Sequence, residues 1–373
     1  MSIAGRSGRS GRSGRSGRSG RSGRSGRSGD ALDDLLDHAG GPASTLMNEA
    51  LVSMRDGTVG YWDGGKMTGN GAPFPPDGSD YDVSYLVPAT RALLFDAALS
   101  DPFKVSRSGD KAIVELAGKQ LITIQKPDEA KLEQQLAHLR TYADLRGDRV
   151  AEIQVQTDDI LSFFGAITYL DEKRRGHTLE LLNATVRLAI HVEMQIKHYC
   201  RTRRPQALSN QVQPMIQTPD HSAFPSGHAT EAFAVATVLY LLREDGAGTY
   251  ANATSGLGGH SDPLYRAAHR IATNRTVAGV HYPCDSAAGA MLGLALGTAV
   301  RDMGRATSAG GLASPLSFGF TSTASQTAKF NYADDFDIDW LAARSAPLDS
   351  TRLVTKSPMI NQLWSLAKAE WAG

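Results

Sequence analysis

The stretch "DSAAGAMLGLALGTAVRDM", residues 285–303, constrains this chain more than any other segment. It carries no charge from Ser286 to Val300, and Gly289, Gly293 and Gly297 recur at four-residue spacing. Residues four apart share a helix face, so one side of this helix is bare and must lie against a close neighbour. The apolar run falls short of the ~20 residues that cross a bilayer, so a buried helix is expected and no membrane span. Apolar segments of similar period follow one another upstream. The period of about 3.6 predicts helices over 127–147, where Gly147 reads as a stop, and over 157–172, 178–200, 227–244 and 263–280. No comparable run of strands accompanies them, which predicts an all-α helical bundle.

The flanks differ from this block. Residues 111–124, "KAIVELAGKQLITI", alternate β-branched and polar residues around Ala117-Gly118, which reads as a small peripheral hairpin. The expected organisation is a repeat over 1–29, a region of mixed, irregular or β-hairpin structure over 30–126, a helical domain over 127–305, and an extension over 306–373. That extension ends in an amphipathic helix around "INQLWSLAKAEW" that docks on the body.

The repeat, Gly-Arg-Ser at a period of three, holds eight arginines from Arg6 to Arg27 and no large apolar side chain. It cannot offset its conformational entropy by burial, so disorder is expected. Lys plus Arg and Asp plus Glu each total 39, leaving 31 bases against 39 acids outside the repeat. The body is therefore net acidic, and nucleic acid is an expected partner only of the Arg-rich arm. The chain's start shows no apolar signal segment, and a cytoplasmic protein is expected. Only Cys200 and Cys284 occur, without a zinc-like spacing, which speaks against a disulfide framework and leaves open whether the two pair.

Three separated segments share a chemical theme. In "KHYCRTRRP", Lys197 and Arg204 stand seven residues apart, with Arg203 left to solvent. In "HSAFPSGHAT", Ser226 is a strong N-cap, so a helix should begin at Gly227, with its first N–H groups unpaired at the positive end of the dipole. Gly227, without a Cβ, lets an oxygen approach the backbone. In "NRTVAGVHYPCD", Arg275 precedes His281 by six residues and Asp285 follows it by four. Asp285 can fix the imidazole tautomer and leave the other ring nitrogen as nucleophile or ligand. Three cations, a hydroxyl, free N–H groups, two imidazoles and a carboxylate suit a tetrahedral oxyanion.

These segments resemble the signature of the type 2 phosphatidic acid phosphatase and vanadium haloperoxidase superfamily, in order and in internal spacing. Asn274 stands where the family usually has serine before Arg275. The resemblance implies a helical bundle in which Lys197, Arg204, Ser226, Gly227 and Arg275 surround the anion. It implies His281 as the apical residue, oriented by Asp285, and His228 as the acid/base, with Lys197 polarising a bound peroxide. In a haloperoxidase the cofactor is vanadate on His281, and the substrates are hydrogen peroxide and halide. In a phosphatase there is no cofactor, and a phosphate ester is hydrolysed through a phosphohistidine. Ala229 after the Pro-Ser-Gly-His stretch, and His221 five residues before Ser226, resemble the haloperoxidases and suit halide or substrate tuning. Met194 departs from the Trp or Arg that those enzymes place there. The expectation is a haloperoxidase-like enzyme, with a soluble acid phosphatase as the alternative and a non-catalytic anion- or RNA-binding protein as the second. A homodimer is compatible with the sequence.

Overall fold

The computed structural model describes residues 45–61, 81–247, 262–305, 316–320, 327–342 and 357–372. The Gly-Arg-Ser repeat and the Gly-rich loop near residue 255 lie outside the described residues. The helices are α1 (Thr45–Val59), α2 (Pro88–Ser100), α3 (Leu132–Tyr142), α4 (Arg146–Val155), α5 (Leu161–Thr168), α6 (Glu172–Cys200), α7 (Pro205–Leu208), α8 (Gly227–Gly246), α9 (Pro263–Val277), α10 (Pro283–Arg305), α11 (Ile338–Ala342) and α12 (Pro358–Ala369). The strands are β1 (Phe103–Ser108), β2 (Lys111–Leu116), β3 (Lys119–Gln125), β4 (Leu316–Phe320) and β5 (Thr327–Phe330). The architecture is mostly helical with a small mixed sheet.

The glycine stripe acts as its spacing requires. Every residue of α10 from Pro283 to Gly304 is buried, and the helix lies along α8. A Cβ on Gly289 would stand 2.5 Å from the Ser226 carbonyl oxygen, and one on Gly297 would stand 2.8 Å from that of Ala234. The backbones of α8 and α10 therefore touch through the three glycines. This contact is the centre of the bundle, with α6 and α9 packed around α8.

One local expectation fails for an identifiable reason. Gly147 does not stop a helix, because α3 passes through a 3₁₀ turn at Ala143–Leu145 and α4 then continues to Val155. Arg146 secures that restart by donating to the carbonyls of Val277, Gln213 and Val212 at 2.9–3.0 Å, and buried Ile153 faces the core. α8 ends at Gly246, two residues past the expected end at 244. A Cβ there would meet Trp371 Cβ at 2.5 Å, so the position serves close packing of the chain's C-terminal segment.

The sheet is larger and more central than the hairpin expected. β2 and β3 do pair antiparallel across Ala117 and Gly118, both at positive φ, as a two-residue hairpin turn prefers. β1 extends them, and β4 and β5 join in parallel in the order β1-β2-β3-β4-β5. The sheet thus joins segments from before and after the helical block. It packs on α6 and α10, and Phe318 of β4 lies 6.1 Å from Phe224, next to the Pro-Ser-Gly-His turn. The terminal helix α12 docks as its amphipathic pattern predicts, with Trp364 Nε1 and Lys368 Nζ donating to the Asp245 carboxylate at 2.9 and 3.0 Å.

Candidate oxyanion site

Four helix ends meet at one point. Lys197 sits in the last turn of α6, after which Arg201 adopts a left-handed conformation (φ 50°) and reverses the chain. Arg204 then runs extended into Pro205 and points back into the bundle. Ser226 caps α8, its Oγ accepting from the Ala229 N–H at 3.5 Å, while its own N–H donates to the Asp285 carbonyl at 2.9 Å. Arg275 comes from the end of α9, and Asp285 from the first turn of α10 with His281 just before it. Lys197, Arg204, Ser226, Gly227, His228, Arg275, His281 and Asp285 are all buried. Arg203 is exposed near Glu129, as expected.

Hydrogen-bond partners assign the protons. Arg204 Nη1 lies 3.0 Å from His281 Nε2, and guanidinium can only donate. Nε2 therefore presents a lone pair, and the ring proton is on Nδ1, which donates to Asp285 Oδ2 at 3.0 Å. The same carboxylate oxygen accepts from the Tyr282 N–H at 3.0 Å, which fixes its position. His228 is the opposite tautomer. Its Nε2 is 2.7 Å from the Gln156 carbonyl, which can only accept, and 3.5 Å from Arg275 Nη1, which can only donate; the much shorter contact decides, so Nε2 carries the proton. One imidazole offers a lone pair and the other an N–H.

His221 lines a cavity of about 450 Å³ that also reaches Met194, Lys197, Arg201 and Arg204, among others. His221 Nδ1 lies 3.2 Å from Arg204 Nη2, and its carbonyl accepts from Arg204 Nε at 3.2 Å. Burial first, then the charges of Lys197 and Arg204, push its pKa down to about 4. The ring is neutral at pH 7.

The charge balance includes residues that the motifs do not announce. Three buried carboxyls, Asp285, Glu193 and Glu231, accompany the buried cations Lys197, Arg204 and Arg275. Burial pushes Arg275 to about 9 and Arg204 to about 10, both still charged at neutral pH. It also holds Lys197 below the usual lysine range, opposed by Glu193. In the other direction, burial raises Glu193, Glu231 and Asp285, and it drives His228 and His281 well below the ordinary histidine value. Glu193 also explains Gly227: a Cβ there would stand 2.5 Å from Glu193 Oε1. The bare face of that glycine meets a carboxylate, so its N–H, and not its missing side chain, is what it can offer an anion. A signal for both glutamates existed. Glu193 stands one turn before Lys197, and Glu231 interrupts an apolar helix. Cys200 and Cys284 are both free, buried thiols.

Arg275 Nε is buried with no partner among the described residues, and the donors converging on the site are nitrogen-borne hydrogens around one histidine lone pair. Such a set fits a compact oxyanion such as phosphate or vanadate. Residues 178–307 match the PAP2 superfamily, and that stretch, which includes every motif residue from Lys197 to Asp285, is a PAP2 superfamily domain. No curated protein matches the chain at a significant level. Among the described residues no helix is long and apolar enough to cross a membrane.

Proposed function

We propose that this chain is a haloperoxidase-type enzyme whose oxyanion site takes vanadate. The reaction is hydrogen peroxide plus halide plus a proton giving hypohalous acid and water, with two electrons passing from halide to peroxide as the O–O bond breaks. The observation that carries the reading is His221, a neutral ring at the cavity that touches Arg204, where an incoming halide or outgoing hypohalous acid passes. Lys197, Arg204, Ser226, the Gly227 N–H and Arg275 would hold the vanadate oxygens, and His281 Nε2 would bind vanadium. When bound, vanadate supplies a Lewis acid that activates peroxide without changing oxidation state.

The chain's own residues do the rest. Asp285 keeps the proton on His281 Nδ1 and so keeps the Nε2 lone pair available. Arg204 Nη1, which occupies that lone pair here, turns its hydrogen to an anion oxygen when a ligand takes its place. His228 Nε2 exchanges the Gln156 carbonyl for a substrate oxygen and moves the proton. The buried cations are held together by the fold, which bears the cost of desolvating them.

The opposite tautomers of His281 and His228 favour one second reading, phosphomonoester hydrolysis. His281 Nε2 attacks phosphorus as the ester P–O bond breaks, and His228 Nε2–H protonates the leaving alkoxide. Water, deprotonated by His228, then cleaves the phosphohistidine. One assay pair separates the readings: bromide or chloride oxidation by peroxide with and without orthovanadate, against p-nitrophenyl phosphate hydrolysis. Vanadate-dependent halide oxidation supports the first reading, and hydrolysis blocked by vanadate supports the second. Absence of both, or survival of either in His281→Ala, refutes the assigned site.

A further inference from the structure

Gln156 lies outside the three motif segments and outside the stretch that matches the superfamily. It caps the end of α4 and is almost wholly buried, at 1% exposure. Besides the carbonyl that accepts from His228, its side-chain Oε1 accepts from Arg275 Nη2 at 2.9 Å and from Asn274 Nδ2 at 3.0 Å. Guanidinium has no acceptor, so the amide orientation is set: oxygen toward Arg275, NH₂ away from it. That NH₂ is buried and has no hydrogen-bond partner among the described residues. An unpaired buried donor is costly, and the residue that bears it bonds through its backbone carbonyl to His228 and through Oε1 to Arg275, two groups of the anion site.

We propose that Gln156 is a further anion-binding residue, whose Nε2 donates to an oxygen of the bound oxyanion while its Oε1 holds Arg275 in place. The proposal rests on the reading of the site as an oxyanion cage. It also accounts for Asn274 where the superfamily usually has serine. Asn274 Nδ2 donates to both Gln156 Oε1 and Glu152 Oε2 at 3.0 Å, and its Oδ1 accepts from Arg149 at 2.9 Å. A serine hydroxyl has one hydrogen and a shorter reach, so it cannot serve Gln156 and Glu152 together. Asn274 and Gln156 are thus two halves of one device that orients Arg275.

The test uses the full chain with inorganic phosphate and orthovanadate as probes, by calorimetric titration. A lost hydrogen bond to a charged ligand corresponds to about 10- to 100-fold in Kd, so Gln156→Leu should weaken both anions by that factor. Gln156→Glu keeps the oxygen that holds Arg275 but replaces the NH₂ with an anionic oxygen. It should weaken binding at least as much at neutral pH and recover as acid protonates the new carboxyl. The wild-type side-chain amide ¹H–¹⁵N pair, assigned by its absence in Gln156→Glu, should shift on phosphate saturation whether or not the leucine variant folds. An unmoved amide pair on phosphate-saturated protein, or a folded Gln156→Leu whose Kd stays within twofold, overturns the proposal. Wild-type protein that binds neither anion overturns the cage reading first, and this inference with it.

Discussion

Substituting Gly289 by alanine should damage stability and site together. The new methyl would stand 2.5 Å from the Ser226 carbonyl oxygen, 2.9 Å from Ala229 Cβ and 3.2 Å from the Thr230 nitrogen. Two of the three are backbone atoms of α8, and the third is fixed to it, so no side chain can swing aside. Reaching an ordinary contact of 3.4 Å requires α10 and the first turn of α8 to part by about 1 Å. Overpacking of this kind costs about 1–3 kcal/mol, which for a chain of this size lowers Tm by on the order of 5 °C. The displaced turn holds Ser226 and Gly227, so phosphate or vanadate Kd should weaken by at least tenfold, because a shift of 1 Å is large for a preorganised site. Gly297→Ala supplies the control. Its Cβ would meet Ala234 O at 2.8 Å and Thr237 Cβ at 2.7 Å, but it lies about 12 Å further along the helix. It should lose similar stability and keep wild-type anion affinity. Thermal denaturation and calorimetric titration of both variants measure this directly. A Gly289→Ala protein that melts at or above the wild-type temperature would refute the close contact of α8 and α10, and equal loss of binding in both variants would refute the localisation.

Asp285→Asn should drop turnover by about 10- to 100-fold while anion Kd changes less than tenfold. The amide oxygen can stand in for Oδ2 toward both the His281 Nδ1–H and the Tyr282 N–H, so the tautomer is kept and what is lost is the negative charge that raises the basicity of His281; steady-state kinetics beside titration checks the split. Phosphate affinity should fall as pH rises through a range well below the ~10.4 of an ordinary lysine. Burial depresses Lys197, and loss of its proton removes a cation from the cage; Lys197→Arg should extend the plateau to higher pH in the same titration. Acid should act through His221. Its folded pKa of about 4 lies below its unfolded value of ~6.5, so the stability it contributes is fully present above ~6.5 and is lost as pH falls toward 4. His221→Gln should make that part of a denaturant midpoint profile shallower without flattening it, because His228, His281 and His269 are depressed by burial as well. Phe318→Ala should cost about 3–5 kcal/mol by chemical denaturation, because the ring fills the seam between Phe224, Phe330 and Trp340.

The parts legible in the sequence are those set by local geometry. A four-residue glycine repeat specifies a bare helix face whatever lies against it, and Ser226 followed by Gly227 specifies where α8 begins. The spacing His281 to Asp285 spans one turn and brings ring and carboxylate within reach without help from the rest of the fold. Helix ends set by tertiary contacts were not legible: Gly147 reads as a stop, yet α4 continues because Arg146 finds three carbonyls on distant segments. The sheet was half legible for the same reason. The β2–β3 turn is local, but the pairing of Ile122 with Leu316 joins residues nearly two hundred positions apart.

For the site, residue types and short spacings already name the groups that can carry the chemistry: three cations, two histidines, one orienting carboxylate and a helix N-terminus. Tertiary structure alone decided their protonation and their company. Arg204 reaches His281 from 77 positions away and sets which nitrogen bears the lone pair, and the Gln156 carbonyl sets the opposite tautomer on His228 from 72 away. Burial also sets the Glu193 and Glu231 carboxyls beside the cage and raises their hold on a proton. Tautomer, charge balance and the reach of an unpaired amide depend on what is packed within a few ångströms, and packing between distant segments is not written in any local pattern.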